Sequence, residues 1–454
     1  MTRGEYPKAR RRLVIGAVGA AIVALLLSAC TPGGTTATST GATAAPFPTG
    51  PVTLNLLDYQ TSANPQLGAA IDQLISDFQS EHPNVTIKRS ATSFSDLLTK
   101  QQLLMSGPNP PDISDVAVNY TVEAKFAQSG LITDLQPYAD KYKWADKFSP
   151  FLYGQSRFDK NGRLGKGDLY GVYFTEDIVG VYYNKQKLAA LGLSVPTTFQ
   201  EFEDSLATIK AAGETPFEFG NQDKWAAIHA FQQVQGSLAP KDYLRDYSYR
   251  LKDGMTFDEQ WNVAAATKFQ QWAQDGYFGS DPNALADADA RTNFIKGDGV
   301  YHIGGTWDAK TIDDGMGDNA GFFLVPPVDG NSSKLVTLGG LGQTFTIGGK
   351  TKAPGAAAAF LNLMVSDKAA DLYQKAGAIP GFTFTPAAGA TSLRQDVLAS
   401  VATANKADAL VGYLDGPTPR MYDVLTAALQ DLIAKKTTPE QFVATIEADY
   451  AKGP

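Results

Sequence analysis

The stretch from Leu169 to Lys185 reads LYGVYFTEDIVGVYYNK. Two short runs of aromatic and β-branched residues flank the polar triplet Thr175-Glu176-Asp177. Runs of this length and composition read as strands. Upstream, Val52 to Leu57 alternates apolar and polar residues and predicts a first strand. Leu67, Ala70, Ile71, Leu74, Ile75 and Phe78 fall at helical spacing. Val85 to Lys88 predicts a second strand, Phe94 to Met105 a helix stopped by Gly107 and the Pro-rich run 108–111, and Asp112 to Val118 a third strand. Strand and helix alternate, the pattern of an α/β fold with a largely parallel sheet. Downstream, Thr198 and Glu201 form a capping-box pair opening a helix that runs to Ala212. Further helices are predicted over Trp225–Val234, Phe257–Gln274, Ala353–Val365 and Tyr422–Ala434.

The N-terminus has a different character. Lys8, Arg10, Arg11 and Arg12 precede an uncharged run from Leu13 to Leu27, which ends in Leu27-Ser28-Ala29-Cys30. The run has the length of a signal-peptide core and is short for a membrane span. The ending resembles a bacterial lipobox, which implies cleavage after residue 29 and acylation of Cys30. Cys30 is the only cysteine, so no disulfide can form within the chain. The Arg triplet leaves the export route open between the general and the twin-arginine pathway. Thr31 to Pro51 is nearly all Thr, Gly, Ala, Ser and Pro, and is expected to be a flexible tether over 30–51.

The remaining 400 or so residues exceed one ordinary core, so two lobes are expected. The formal charge is −8; residues 1–29 contribute +4 (Arg3, Lys8, Arg10, Arg11 and Arg12 against Glu5), leaving about −12 on the rest. An acidic chain of this kind argues against nucleic acid as a partner. The three histidines, His82, His229 and His302, sit in no nucleophile or metal motif, and Gly-x-Ser-x-Gly is absent. Asp281, Asp287 and Asp289 lack the spacing of a calcium loop, and the glycines of 339–342 and 348–349 lack a nucleotide-binding context. No metal or cofactor is expected. The acids are numerous enough to leave a secreted glycosidase, with its paired carboxylates, as an open alternative.

Taken in order, several segments resemble the bacterial extracellular solute-binding proteins of family 1, the maltose-binding-protein-like components of ABC importers. They are Pro111-Asp112-Ile113, Ala127 to Ile132, Leu169 to Lys185, Pro196-Thr197-Thr198-Phe199, Phe294 to Gly297, Ile303 to Trp307, Pro326 to Gly330, Ala356 to Leu363 and Gly377 to Pro380. Two positions depart from the family pattern: Phe199 stands where a Trp is usual, and Tyr173 where a Pro is usual. The resemblance implies a two-lobed periplasmic-binding-protein-like fold, each lobe a sheet flanked by helices, joined by crossing hinge strands. It places the first lobe at 52–173 and 323–347, and the second at 174–322 and 348–454. It implies crossings at Tyr173–Asp177, Phe323–Pro327 and Phe345–Gly349. It also implies a monomeric, lipid-anchored protein outside the cytoplasm that hands a mono- or oligosaccharide to permease subunits. A polyamine, phosphate ester or peptide in the same fold is the alternative.

A sugar presents hydroxyls that want acids and amides, and C–H-rich ring faces that want flat aromatic side chains. Trp307, after Gly304-Gly305-Thr306, matches the family's stacking position, and Asp177 matches one that meets ligand hydroxyls. Phe174 and Glu176 share that crossing. Trp225 lies where the family places a second aromatic platform. Tyr59 and Gln60 follow the first strand, and Asn119 and Tyr120 follow the third, at strand ends where open α/β sheets bind ligands. Gln343 and Arg420 match broader ligand-facing regions. A core tryptophan and a solvated acid are the plainer readings of the same residue types.

Overall fold

The computed structural model describes residues 43–60, 65–116, 120–340 and 344–453. Cys30 and the rest of the basic, apolar and lipobox segments lie outside these residues.

Alternation in the first segment becomes strand β1 (Val52–Asp58), with Leu54 and Leu56 turned into the core. The helix Pro65–Glu81 buries Leu67, Ile71, Leu74 and Phe78, and returns the chain to β2 (Val85–Ala91), parallel to β1. The helix Phe94–Ser106 starts at Ser93, whose hydroxyl accepts the Asp96 amide at 3.1 Å. It leads to β3 (Ile113–Asp115), parallel to β1 on its other side.

The Leu169–Lys185 stretch supplies β4 (Gly171–Tyr173), β5 (Thr175–Glu176) and β6 (Val179–Asn184). Beyond it come β7 (Tyr301–Gly305), β8 (Ala320–Phe323), β9 (Thr337–Leu338), β10 (Thr344–Ile347), β11 (Ile379–Pro380) and β12 (Leu410–Val411). One sheet runs β2-β1-β3-β10-β4, with β10 antiparallel to both neighbours. A second, antiparallel sheet runs β8-β6-β7. The quoted stretch therefore carries the edge strand of one sheet and the central strand of the other.

Each sheet has its own core. Leu54, Ile71, Trp144, Phe345, Phe360 and Tyr373 pack around the first. Val179, Val181, Phe202, Phe217, Phe231 and Trp272 cover one face of the second, and Ile178, Tyr182, Phe294 and Val397 the other. Both faces of β6 are thus buried, which explains why its sequence is apolar nearly throughout. Each such buried large side chain stabilises the fold by about 1.5–3 kcal/mol. The molecule is a two-lobed α/β protein of the periplasmic-binding-protein type.

Three segments pass between the cores and lie side by side. The first is Thr175–Asp177. The second passes through Gly339 and Gly340, where the Gly340 amide donates to the Asp177 carbonyl at 2.9 Å. A Cβ on Gly339, whose φ is +139°, would lie 2.1 Å from that carbonyl oxygen; only glycine admits this approach. The third is β11, antiparallel to β5.

Four expectations need correction. No crossing lies at Phe345–Gly349: Phe345–Ile347 pair with β3 and β4 inside the first sheet, and the Gly348 amide donates to the Asp112 carbonyl at 2.9 Å. The return to the first lobe does not occur at Phe323–Pro327: β8 pairs with β6, and Phe323, Val325 and Leu338 pack in the second core. Residues 348–454 do not all join the second lobe: Pro354–Met364 and Asp367–Lys375 are apolar on the side that covers the first sheet and pack there. Nor is the tether free as far as Pro51. Phe47 lies against Phe78 and His82, with centroids 6.4 and 4.6 Å away, and the Asn84 amide donates to the Pro48 and Gly50 carbonyls at 3.0 Å each. The one aromatic ring of the segment gives it something to bury, and its prolines lower the entropy lost on ordering.

Candidate ligand site between the lobes

Trp307 sits in a single helical turn, Thr306–Asp308, directly after β7. A Cβ on Gly305 would lie 2.2 Å from the Trp307 ring, so glycine there lets the indole fold back over the strand end. The three residues of the turn have separate partners. The Thr306 hydroxyl donates to Asp177 Oδ1 at 2.7 Å. The Trp307 ring stands edge-on to Trp225 at 6.3 Å and 5.4 Å from the His229 ring. Asp308, fully buried, accepts from Arg291 and lies 3.9 Å from His302 Nε2.

Trp225 precedes the helix Ala226–Leu238, which is buried almost all round from Ala226 to Gly236. His229, one turn in, also faces Tyr413 at 5.5 Å. Burial pushes the His229 pKa down to about 4, so the imidazole is neutral at pH 7. Its Nδ1 has no hydrogen-bond partner among the described residues. Trp225, His229, Trp307 and Tyr413 form an aromatic wall on the second lobe.

The first lobe faces this wall with strand ends. Tyr59, just past β1, is half-buried and edge-on to Phe94 at 5.1 Å. Burial first, then Asp115, Asp177, Tyr413 and Asp58, raise its phenol pKa well above the ordinary value. Groups of both lobes and of the crossing therefore converge on it. Asp115, at the end of β3, is fully buried, with the Thr344 backbone amide favouring its charged form. Burial, then Asp58, hold its pKa well above the carboxylate range. Asp177 is pushed up to about 6 by burial, with Asp308 adding to this and the Thr306 hydroxyl opposing it. Asp415 is pushed up to about 7 by burial.

Of the expected site residues, the structure brings together Trp307, Trp225, Asp177 and Tyr59. Phe174 is not in the site: it is 1% exposed and packed between Phe345 and Tyr373 in the first core. Glu176 points to the face opposite Asp177, as successive strand residues must, and bonds Asn405. Gln60 is buried; its backbone amide donates to Asp58 at 2.7 Å and its backbone carbonyl accepts from Arg89 at 2.8 Å. Arg420 is tied to the C-terminal helix through Asp449 at 2.8 Å and the Gly453 carbonyl at 3.0 Å. Asn119 and Gln343 lie outside the described residues, as does the side chain of Tyr120. Asp115, His229 and Tyr413 were not anticipated. Asp115 was within reach of the strand-end argument, since it closes β3. Among the described residues no three His, Cys, Asp or Glu side chains are grouped to hold a metal ion, and no helix is long and apolar enough to cross a membrane.

The family model described as bacterial extracellular solute-binding protein matches residues 62–371. A multiple sugar-binding protein of Streptococcus mutans is 26% identical over 196 residues, 40% of this chain and 41% of that protein. An uncharacterized ABC transporter extracellular-binding protein of Pyrococcus horikoshii is 26% identical over 241 residues, 51% of this chain and 50% of that protein. The matched stretch thus spans half or less of these two relatives. A probable sugar-binding periplasmic protein of Mesorhizobium japonicum is 23% identical over 369 residues, 78% of this chain and 84% of that protein. Among solved structures, a chitin oligosaccharide binding protein superposes with a TM-score of 0.78 at 20% identity, covering 89% of this chain and 99% of the other. A solute-binding protein in complex with raffinose gives 0.70 at 20% identity, covering 88% and 99%. With the family model matching the greater part of its length, the chain belongs to the bacterial extracellular solute-binding proteins.

Proposed function

We propose that this protein captures a sugar in the cleft between its lobes and delivers it to the permease of an ABC importer. The observation that carries the reading is the pairing of an aromatic wall (Trp225, Trp307, Tyr413) with carboxylates at strand ends and crossing (Asp115, Asp177). Ring faces suit the C–H surface of a pyranose, and the acid groups hydrogen-bond its hydroxyls. The sugar-binding relatives support the same class of solute. The lobes touch at the cleft rim: Tyr249 of the second packs with Ala124, Phe158 and Leu164 of the first, and the Thr121 hydroxyl donates to the Gly416 carbonyl at 3.2 Å. Closing by hinge motion about the three crossings would seal the ligand.

A thermal-shift screen of residues 43–454 against mono- and oligosaccharides tests this. A selective rise in melting temperature with one sugar class is the expected result, since a ligand at a hundred times its Kd adds about 2.7 kcal/mol. No shift with any sugar would overturn the reading. The anchoring half of the proposal rests on Leu27-Ser28-Ala29-Cys30. Two or more acyl chains on Cys30 would hold the protein stably on the membrane. Incorporation of a palmitate analogue, abolished by Cys30→Ala, is the expected outcome.

A further inference from the structure

The aromatic wall contains one ring of a different kind. His229 is 8% exposed, and Trp225, Trp307 and Tyr413 stand around it with centroids 5.2, 5.4 and 5.5 Å from its own. The three rings are tilted to the imidazole by 57°, 50° and 42°, so none is stacked flat on it. His229 makes no hydrogen bond with these rings or with any other described residue, and its Nδ1 is buried without a partner. His302, buried more deeply still, ties the same nitrogen to the Glu218 carbonyl at 3.0 Å. A buried polar nitrogen left unpaired is costly, and native proteins keep few of them. The helix that carries His229 also fixes its neighbour. One turn on, Gln232 accepts the Leu414 amide at 2.9 Å and donates to the Gly412 carbonyl at 3.2 Å, which pins the backbone on either side of Tyr413. One helix face thus sets both the imidazole and the ring opposite it. Burial keeps the imidazole neutral at pH 7, and a neutral imidazole carries one donor and one acceptor, the same pair that a hydroxyl offers.

Resting on the sugar reading, we propose that His229 is the specificity-determining residue of the wall, its imidazole hydrogen-bonding one hydroxyl at the edge of a pyranose whose C–H face lies against Trp307. Stacking on an indole tolerates many arrangements of hydroxyls, because it reads only the apolar face of the sugar. A buried polar group is stricter: a ligand that lacks the matching hydroxyl leaves it unpaired and is rejected. The tryptophans then hold a pyranose of any configuration, and His229 decides which one stays.

The test is titration calorimetry of the full chain with glucose, galactose, mannose, xylose and their 1,4-linked disaccharides, followed by the monodeoxy analogues of the tightest binder. Wild type should lose about tenfold or more in affinity on one of these analogues. His229→Phe, which keeps a ring among the three others, should bind the parent sugar about tenfold or more weakly and no longer tell the parent from that analogue. Its melting temperature without sugar should be unchanged or higher, since the unpaired nitrogen is gone; a merely structural histidine would lower it. His229→Gln, which keeps a donor and an acceptor, should still prefer the parent. Should the phenyl ring crowd the wall, seen as a lower melting temperature, His229→Leu gives the same comparison with a smaller side chain. A variant that binds the parent as tightly as wild type, or that still discriminates against every deoxy analogue as wild type does, overturns this proposal and leaves the sugar reading standing. Silence from every saccharide overturns the sugar reading itself.

Discussion

Both lobes place a cleft aromatic next to a buried aspartate, and the two seats are built differently. In the first lobe Tyr59 follows Asp58, which is locked by a two-pronged Arg89 and by the Gln60 amide at 2.7 Å. Asp115 and Tyr59 lie in the field of that carboxylate, and Asp72 shares its arginine. In the second lobe Trp307 precedes Asp308, which shares its surroundings with Arg291, His302 and Asp287. His302 is raised despite its burial, because Asp308, Asp287 and the Glu218 carbonyl favour its protonated form. Asp287 is pushed up to about 7 by burial and by Asp308. The first seat is a fixed platform. The second can change its proton count near neutrality, because Asp287 titrates at about 7 beside Asp308.

The sharpest way to break the comparison is to remove each arginine. Arg89→Met leaves Asp58 buried without a counter-charge and should cost about 3–5 kcal/mol, measured by urea unfolding at pH 7. Arg291→Met should cost less at pH 6 than at pH 8, because a protonated His302 then stands in for the lost charge. Equal losses at both pH values would put the two seats on the same footing.

Trp307→Ala comes next. It should weaken binding of the identified solute by about 1–2 kcal/mol, roughly five- to thirtyfold in Kd, with little change in melting temperature, since the ring lies at the cleft surface rather than in the core. Tyr59→Phe, which keeps the ring against Phe94 and removes only the hydroxyl, should cost about 0.5–1.5 kcal/mol of affinity.

A smaller effect concerns stability and pH. Asp177 has a folded-state pKa of about 6, above its unfolded value near 3.8. The folded state therefore holds an extra proton between these values, and the wild type loses stability as the pH rises from about 4 to 6. Asp177→Asn should be indistinguishable from wild type at pH 4 and more stable by up to about 2 kcal/mol at pH 7. Smallest is Tyr249→Ala at the rim, expected to weaken binding about two- to fivefold by loosening lobe closure without touching the cleft.

The same contrast governs what could be read without a structure. Strand–helix alternation and the Thr198–Glu201 capping box are local, and both stand in the fold, the latter with Thr198 accepting the Glu201 amide at 3.2 Å. Trp307 was legible through the family resemblance, as the aromatic that follows Gly304-Gly305-Thr306. Tyr413 follows a strand of only two residues, and His229 lies in a helix that is apolar all round, so no pattern distinguishes either from core. Phe174 was misplaced for the converse reason. It adjoins the polar crossing in sequence, but a half-turn of strand separates a residue that meets solvent from one that fills the core. The lobe assignment of 354–375 depended on which of two sheets an apolar helix covers, which only the tertiary arrangement decides.

The docked segment Thr43–Pro51 has a mechanical meaning. Its Phe47 and Pro48 are fastened to Phe78, His82 and Asn84 of the first lobe alone. Any pull transmitted along the chain from residue 43 enters that lobe first and reaches the second through the three crossings and the rim contacts of Tyr249 and Thr121. On the proposed reading the first lobe would be the stator and the second the rotor, with each capture swinging Trp225, Trp307 and Tyr413 toward Tyr59.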